Sequence, residues 1–172
     1  MADIVHVLAK RRVPLGFMTA AATLVLAQPT WASWRAGLMV ALLGEAFRIW
    51  AAGHLEKGRE VTRSGPYRWN RHPLYVGSVV MAAGVVIASR SMSVGVLAAL
   101  YMVSTLTAAI RAEEAVLTDR FGDMYHSYRK SRAEPMHRGF SVSRAMRNRE
   151  YRAAAGLLAG FALLALKVRP PL

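Results

Sequence analysis

The sequence predicts an all-α fold, a polytopic integral membrane helical bundle of about five transmembrane helices. Three observations carry that expectation. Of the 172 residues 54% are apolar, and mean hydropathy is +0.24; soluble domains rarely hold their apolar residues in long charge-free runs, as this chain does. Several of those runs approach the about 20 residues that a helix needs to cross a hydrocarbon core. The charge, 23 Lys+Arg against 10 Asp+Glu for a net +13, collects in the breaks between the runs. A basic excess suits either nucleic acid or anionic lipid head groups. Its placement between apolar runs selects the lipid, so no nucleic-acid partner is expected. Cysteine is absent, which excludes a disulfide framework and a thiolate metal site.

The first span is expected over 13–30, ending near Gln28-Pro29, with Trp31 and Trp34 at the water boundary where indoles are favoured. Lys10, Arg11 and Arg12 precede this run as in a signal peptide, but Ala27-Gln28-Pro29 is a poor cleavage site, so a retained helix is expected. The second span, 36–54, is interrupted only by Glu45 and Arg48. The third, 74–89, is short and runs through Arg90 and Ser91 into the fourth, 92–110, as a tight antiparallel hairpin. The fifth is expected over 151–168. Between spans two and three lies a basic loop with turn signals at Gly58 and Ser64-Gly65-Pro66. After span four comes a long basic stretch, helical in its first half (111–132) and broken at Glu134-Pro135 and Arg138-Gly139.

Five spans put the basic segments 10–12, 55–72 and 111–152 on one side and the nearly uncharged 30–35 loop and Arg90 turn on the other. Lys and Arg in short loops mark the cytoplasmic side. The expected location is therefore an inner membrane, with the N-terminus cytoplasmic.

The chemistry concentrates in two stretches. In the first, Gly65-Pro66 makes a turn at the membrane surface and Pro73 suits the first turn of the third span. The start of that helix exposes unpaired N–H groups and a positive dipole end, which favours an anionic group. Gly77, one turn further in, is expected to leave room for a ligand against the backbone, and Tyr67 and Tyr75 flank the place. In the second stretch, Glu113 and Glu114 stand at the end of a lipid-embedded helix, where carboxylates are costly unless used. Adjacent helical residues point about 100° apart. One acid is thus expected to face a ligand while the other pairs with an arginine such as Arg111 or Arg71.

Together, Gly65-Pro66-Tyr67-Arg68, Arg71-His72-Pro73-Leu74-Tyr75 and Gly77, followed by Glu113-Glu114, Leu117, Phe121-Gly122, Tyr125 and Tyr128, resemble the isoprenylcysteine carboxyl methyltransferase family. The related phospholipid methyltransferases share this signature. The stretch from Gly44-Glu45-Ala46-Phe47-Arg48 to Gly53 is similar to bacterial members, so the resemblance covers about 44–129. It implies a membrane enzyme that uses S-adenosyl-L-methionine in a cofactor pocket at the cytosolic face. Carried over residue by residue, it nominates Tyr67, Arg71, His72, Pro73, Leu74, Tyr75, Gly77, Glu113 and Glu114 for the cofactor. Arg71, Glu113 and Glu114 are nominated as catalytic, and Glu45 and Arg48 as lining the route to the acceptor. The cofactor's carboxylate suits the positive helix start, its ammonium a glutamate, and its sulfonium nearby negative charge or an aromatic face. The methyl group arrives activated, so the protein mainly positions and excludes water. A carboxylate acceptor needs no base, whereas an amine acceptor must lose a proton, which a glutamate can take.

The chain departs from the family after Tyr128, where Lys130-Ser131-Arg132-Ala133-Glu134-Pro135 and a further apolar segment follow. The prenylcysteine substrate is therefore not carried over; a lipophilic methyl acceptor and membrane lipids are the expected partners. Blander roles compete. His72 can simply cap a helix, Glu113 and Glu114 can be solvated, and Glu45–Arg48 can be an ion pair joining helices. His54, Tyr125 and Tyr128 read as interfacial anchors, and the tract 138–152 as a lipid-surface element. No histidine has a partner at metal-ligand spacing, so no metal is expected. Against methyl transfer to a carboxyl or amine stand a phosphatidylethanolamine-type N-methyltransferase, an NADPH-dependent sterol-reductase-like protein and a non-enzymatic scaffold.

Overall fold

The computed structural model describes the backbone of residues 2–168 and side chains from Val13 onward, so the basic side chains of 10–12 lie outside the described part. The described residues form six α-helices and one 3-10 turn, with no strand among them. In order these are α1 (Ala2–Leu26), α2 (Trp31–Ala52), the 3-10 turn (Gly65–Arg68), α3 (Pro73–Ser89), α4 (Met92–Arg129), α5 (Val142–Arg147) and α6 (Tyr151–Ala165).

Two boundaries differ from the expected ones for a local reason. Pro29 drives the residue before it out of the helical region, so α1 stops at Leu26 rather than running to 30. Thr30 then caps α2: its hydroxyl accepts from the Ser33 N–H and the Ser33 hydroxyl accepts from the Thr30 N–H, a reciprocal capping box. The expected 30–35 loop is thereby the first turn of α2. Arg90, in the left-handed region at φ 48°, ends α3, and Ser91 caps α4, giving the tight hairpin. α4 continues beyond its apolar part to Arg129, with one break at Gly122 (φ 45°, ψ −120°), a conformation that an L side chain resists. The helix α5 was not foreseen.

α2 and α3 make the most extensive contact in the bundle; α1 packs on α4 and α6 on α2. The close approach of α2 and α3 rests on facing glycines. A Cβ on Gly84 would lie 2.5 Å from the Gly37 carbonyl oxygen, and one on Gly44 would lie 2.7 Å from that of Gly77. Where lipid removes the hydrophobic drive between helices, such backbone proximity supplies the packing energy. Ala27, Ala41, Ala88, Leu157, Phe161 and Leu164 form the buried core beside this seam. The Trp34 indole, expected only at a water boundary, also ties α2 to α6 by donating to the Phe161 carbonyl at 2.9 Å.

Among the described residues one helix, α4, is long and apolar enough to cross a membrane; Val13–Leu26, Pro73–Ser89 and Tyr151–Ala165 are apolar but shorter. Only 22% of the apolar window of α4 is buried, which is the reverse of a soluble core helix. Phe17 (75% exposed), Val25 (77%) and Val103 (69%) likewise face outward. Apolar surface of this kind marks a membrane or partner contact.

The segment 136–148 crosses the end of α2 as a strap. The Ser141 N–H and Arg144 Nε donate to the Gly53 carbonyl (3.0 and 2.7 Å), and Asn148 Nδ2 donates to the carbonyls of Ala52 and Leu55 (2.9 Å each). The Gly53 carbonyl lies just past the end of α2, where the helix supplies no partner of its own. Arg138 pairs with Glu60 at 2.6 Å and Arg147 with Glu56 at 3.1 Å. The tract expected to be a lipid-surface element also places Arg138, Arg144 and Arg147 on internal contacts.

Candidate functional site

Pro66 at the start of the 3-10 turn and Pro73 at the first position of α3 bracket a short connection whose side chains are turned toward α4. His72 occupies the N-cap place of α3, yet its side chain makes no cap hydrogen bond. Its backbone N–H donates to Asn70 Oδ1 at 2.6 Å, which leaves the imidazole free to reach across. His72 Nε2 lies 3.3 Å from Glu114 Oε1 and Nδ1 lies 3.7 Å from Glu113 Oε2. The ring stacks on Tyr75, with centroids 5.7 Å apart and planes at 22°. Arg71 Nη1 is 3.3 Å from Glu114 Oε1, and Tyr75 also bonds to Glu113. The two stretches singled out from the sequence therefore meet, and Glu114 takes Arg71 as its arginine. The two acids diverge on their helix, but one imidazole wedged between them serves both.

Charge pairing sets the protonation here. Burial on its own pulls the His72 pKa down, but hydrogen bonding and attraction to Glu113 and Glu114 outweigh it and leave it raised above 6.5. Burial pushes Glu113 up, but His72 and Tyr75 outweigh it and leave it below 4.5. The His72 contribution to stability is full below 6.5 and is lost as pH rises through the raised value. That of Glu113 is full above 4.5 and is lost as pH falls through the lowered value. In a Glu113→Gln/Glu114→Gln variant burial acts on His72 alone, so the imidazole is expected to titrate below 6.5 instead of above it. Histidine NMR titration in detergent reads this directly, and an imidazole already below 6.5 in the unsubstituted protein contradicts the pairing.

An open cavity of about 510 Å³ lies beside His72. Arg63 and residues 67–72 form one wall; Tyr128, Arg129, Ser131, Ala133 and Pro135 form the other. The second wall is held by Tyr128, whose hydroxyl donates to the Tyr67 carbonyl at 2.7 Å, and by the Met136 N–H, which donates to the Arg63 carbonyl at 3.2 Å. Burial, with Tyr125 beside it, pushes the Tyr128 hydroxyl up to about 12, and burial raises that of Tyr67 as well. Tyr125 is only 1% exposed. Tyr125 is therefore an internal residue and not the interfacial anchor expected, while Tyr128 is half-buried at the cavity wall, beyond the break at Gly122. His54 is likewise buried, against Ser64 Oγ at 3.1 Å and the Phe140 ring.

Gly77 also departs from expectation. A Cβ there would meet Arg48 Cγ at 2.5 Å and the Gly44 carbonyl oxygen at 2.8 Å. The room it leaves is filled by α2, so its smallness serves helix packing rather than a ligand. Glu45 and Arg48 lie in that seam. Arg48 Nε is 2.6 Å from Glu150 Oε1 and 3.6 Å from Glu45 Oε2. Its Nη1 donates to the Leu74 carbonyl at 3.2 Å and to Ser78 Oγ. Arg48 thus joins α2 to the start of α3 and to the α5–α6 junction.

Sequence reasoning passed over Glu150 and the cavity-lining Arg63, Trp69 and Asn70. Glu150 carried a signal, being the sole carboxylate in the tract 138–152; the other three carried none beyond their proximity to the motif. Among the described residues no group of His, Asp and Glu is fit to hold a metal ion.

The chain is similar to known proteins over about half its length. The nickel-cobalt-cadmium resistance protein NccN of Alcaligenes xylosoxydans xylosoxydans is 34% identical over 98 residues, 54% of this chain and 46% of that protein. Protein-S-isoprenylcysteine O-methyltransferase of Schizosaccharomyces pombe (strain 972 / ATCC 24843) is 32% identical over 87 residues, 51% of this chain and 37% of that protein. The chain spans less than half the length of either relative. No solved structure matches it. The model of the phospholipid methyltransferase family matches residues 12–124, a stretch that runs from α1 through His72 and both glutamates. With well over half its length matched, the chain belongs to the phospholipid methyltransferase family.

Proposed function

We propose that the protein is a polytopic membrane methyltransferase that takes its methyl group from S-adenosyl-L-methionine and passes it to a lipophilic acceptor at the cytosolic face of an inner membrane. The observation that carries this reading is the meeting of His72 with Glu113 and Glu114 beside an open cavity. The residues fit the donor. Glu113 and Glu114 offer two carboxylates for its ammonium, and the stacked His72 and Tyr75 rings offer a face for its adenine or sulfonium. Arg71 and the start of α3 suit its carboxylate. The bound cofactor supplies an activated methyl group. The chain's own task is to hold the donor in line, through Arg71, His72, Tyr75 and the two glutamates, and to keep water from it.

The five-span arrangement is supported by the outward apolar faces of α1, α4 and α6 and by the segregation of basic residues into the connections on one side. A lipid-like acceptor then reaches the site sideways from the bilayer. A carboxylate acceptor hands on no proton. An amine acceptor does, and Glu113, with 41% of its side chain exposed, is the group set to take it.

Titration calorimetry of the detergent-purified protein with S-adenosylhomocysteine tests the site. Hydrogen bonds to a charged partner contribute about 1.5–3 kcal/mol, so Glu114→Gln is expected to weaken binding about ten- to a hundredfold. Binding of NADPH in place of S-adenosylhomocysteine sinks the reading. Label transferred from methyl-labelled donor into membrane lipid extracts identifies the acceptor: base-labile label marks a carboxyl, label in a head-group amine marks the N-methyltransferase.

A further inference from the structure

Tyr125 is only 1% exposed, and its hydroxyl is enclosed with no hydrogen-bond partner among the described residues. A buried hydroxyl left without a partner costs free energy, and most such groups find one. Tyr128 does: it donates to the Tyr67 carbonyl at 2.7 Å, while its ring lies 6.3 Å from that of Tyr125. The Tyr125 hydroxyl instead sits among the charges of the site, close enough for Glu114, Arg71 and Glu113 to act on it. Three turns of unbroken α-helix, the separation of Tyr125 from Glu114 along the chain, rise about 16 Å. Their proximity thus depends on the break at Gly122, which lies between them. Burial and the Glu114 carboxylate hold the hydroxyl above its ordinary value of 10, so it keeps its proton and stands ready to donate.

Donor binding frees an acceptor for it. Without the donor, Arg71 and His72 both contact Glu114 Oε1, each at 3.3 Å. In the donor complex, Arg71 turns to the donor's carboxylate and Glu114 to its ammonium. We propose that Tyr125 is a positioning residue for the methyl donor: its hydroxyl donates to the Glu114 carboxylate as Arg71 gives it up, and holds that carboxylate on the donor's ammonium. This role rests on the function proposed above. It gives the two acids matching supports, since Glu113 already has Tyr75. The hydroxyl is unmatched in the free protein and matched in the complex, so it adds to donor affinity and not to folding stability. A tyrosine that merely packs the core has the opposite signature.

The experiment measures unfolding in denaturant and S-adenosylhomocysteine binding by calorimetry on the detergent-purified full chain, for the unsubstituted protein, Tyr125→Phe, Glu114→Ala and the double variant. Tyr125→Phe is expected to leave the ligand-free unfolding midpoint unchanged or raised, because it removes a buried hydroxyl that has no partner. The same variant is expected to weaken S-adenosylhomocysteine binding about tenfold, the effect of one hydrogen bond to a charged group. In the Glu114→Ala background Tyr125→Phe is expected to weaken binding no further, since the acceptor is gone. Unchanged affinity in Tyr125→Phe overturns the proposal. So does a lowered unfolding midpoint, which assigns the hydroxyl to the free fold, and so do losses that multiply independently in the double variant. If the unsubstituted protein binds no S-adenosylhomocysteine, the donor reading and this role fall together. If it binds and Tyr125→Phe binds equally well, the role of Tyr125 alone falls.

Discussion

Arg48→Met is expected to cost about 3–5 kcal/mol of stability, the range seen when one member of a buried ion pair is removed. Glu45 and Glu150 are 4% and 5% exposed, and a single guanidinium serves both. Neither Glu45 oxygen has a hydrogen-bond donor, so Arg48 is its compensation by charge alone. Removal strands two carboxylates in a low-dielectric seam and also frees the Leu74 carbonyl and Ser78 from their tie to α2. Denaturant unfolding in detergent measures the loss. The triple variant Glu45→Gln/Arg48→Met/Glu150→Gln has no stranded charge and is expected to recover most of it. Full stability in Arg48→Met alone would mean that the cluster contributes nothing.

Gly84→Val is expected to be of similar severity for a steric reason. A Cβ at position 84 falls 2.5 Å from the Gly37 carbonyl oxygen and 2.6 Å from the Ala41 nitrogen, both backbone atoms that yield only if the helices part. Overpacking of a tight contact costs about 1–3 kcal/mol and more where the backbone must move. Gly160 on α6 is the control, because a Cβ there meets nothing within 4 Å. Gly160→Ala is expected to leave stability unchanged or raise it by up to about 1 kcal/mol through helix propensity. Equal melting temperatures for Gly84→Val and Gly160→Ala would remove the glycine seam as an explanation of the α2–α3 contact.

What was legible in the sequence was what depends on local pattern. Apolar runs placed α3 and the first half of α4 within a residue of their observed starts, since Pro73, Ser89 and Ser91 mark those ends chemically. The juxtaposition of His72 with Glu113 and Glu114 was legible through family likeness, because nothing local links residues more than 40 positions apart. The roles of Gly77 and Tyr125 were not legible. A glycine on an apolar helix reads alike whether a ligand or a neighbouring backbone fills its space, and only the proximity of Gly44 and Arg48 decides. Tyr125 reads as an anchor from sequence, and its burial becomes visible only past the kink at Gly122. The capping box at Thr30 and Ser33 was readable but lay hidden behind two tryptophans taken as boundary markers.

The strap has a consequence in time. Arg144 follows Gly53, the residue whose carbonyl it closes, by 91 positions. At about 5–20 residues per second of synthesis, α2 waits roughly 5–20 s for that partner to leave the ribosome. Until then the Gly53 carbonyl is met by water alone, and the wall formed by Ser131, Ala133 and Pro135 does not exist. Nascent chains arrested before residue 131 should therefore carry the paired acids and the histidine and still lack one side of the cavity, so a ligand place takes shape only after both charged stretches are already made.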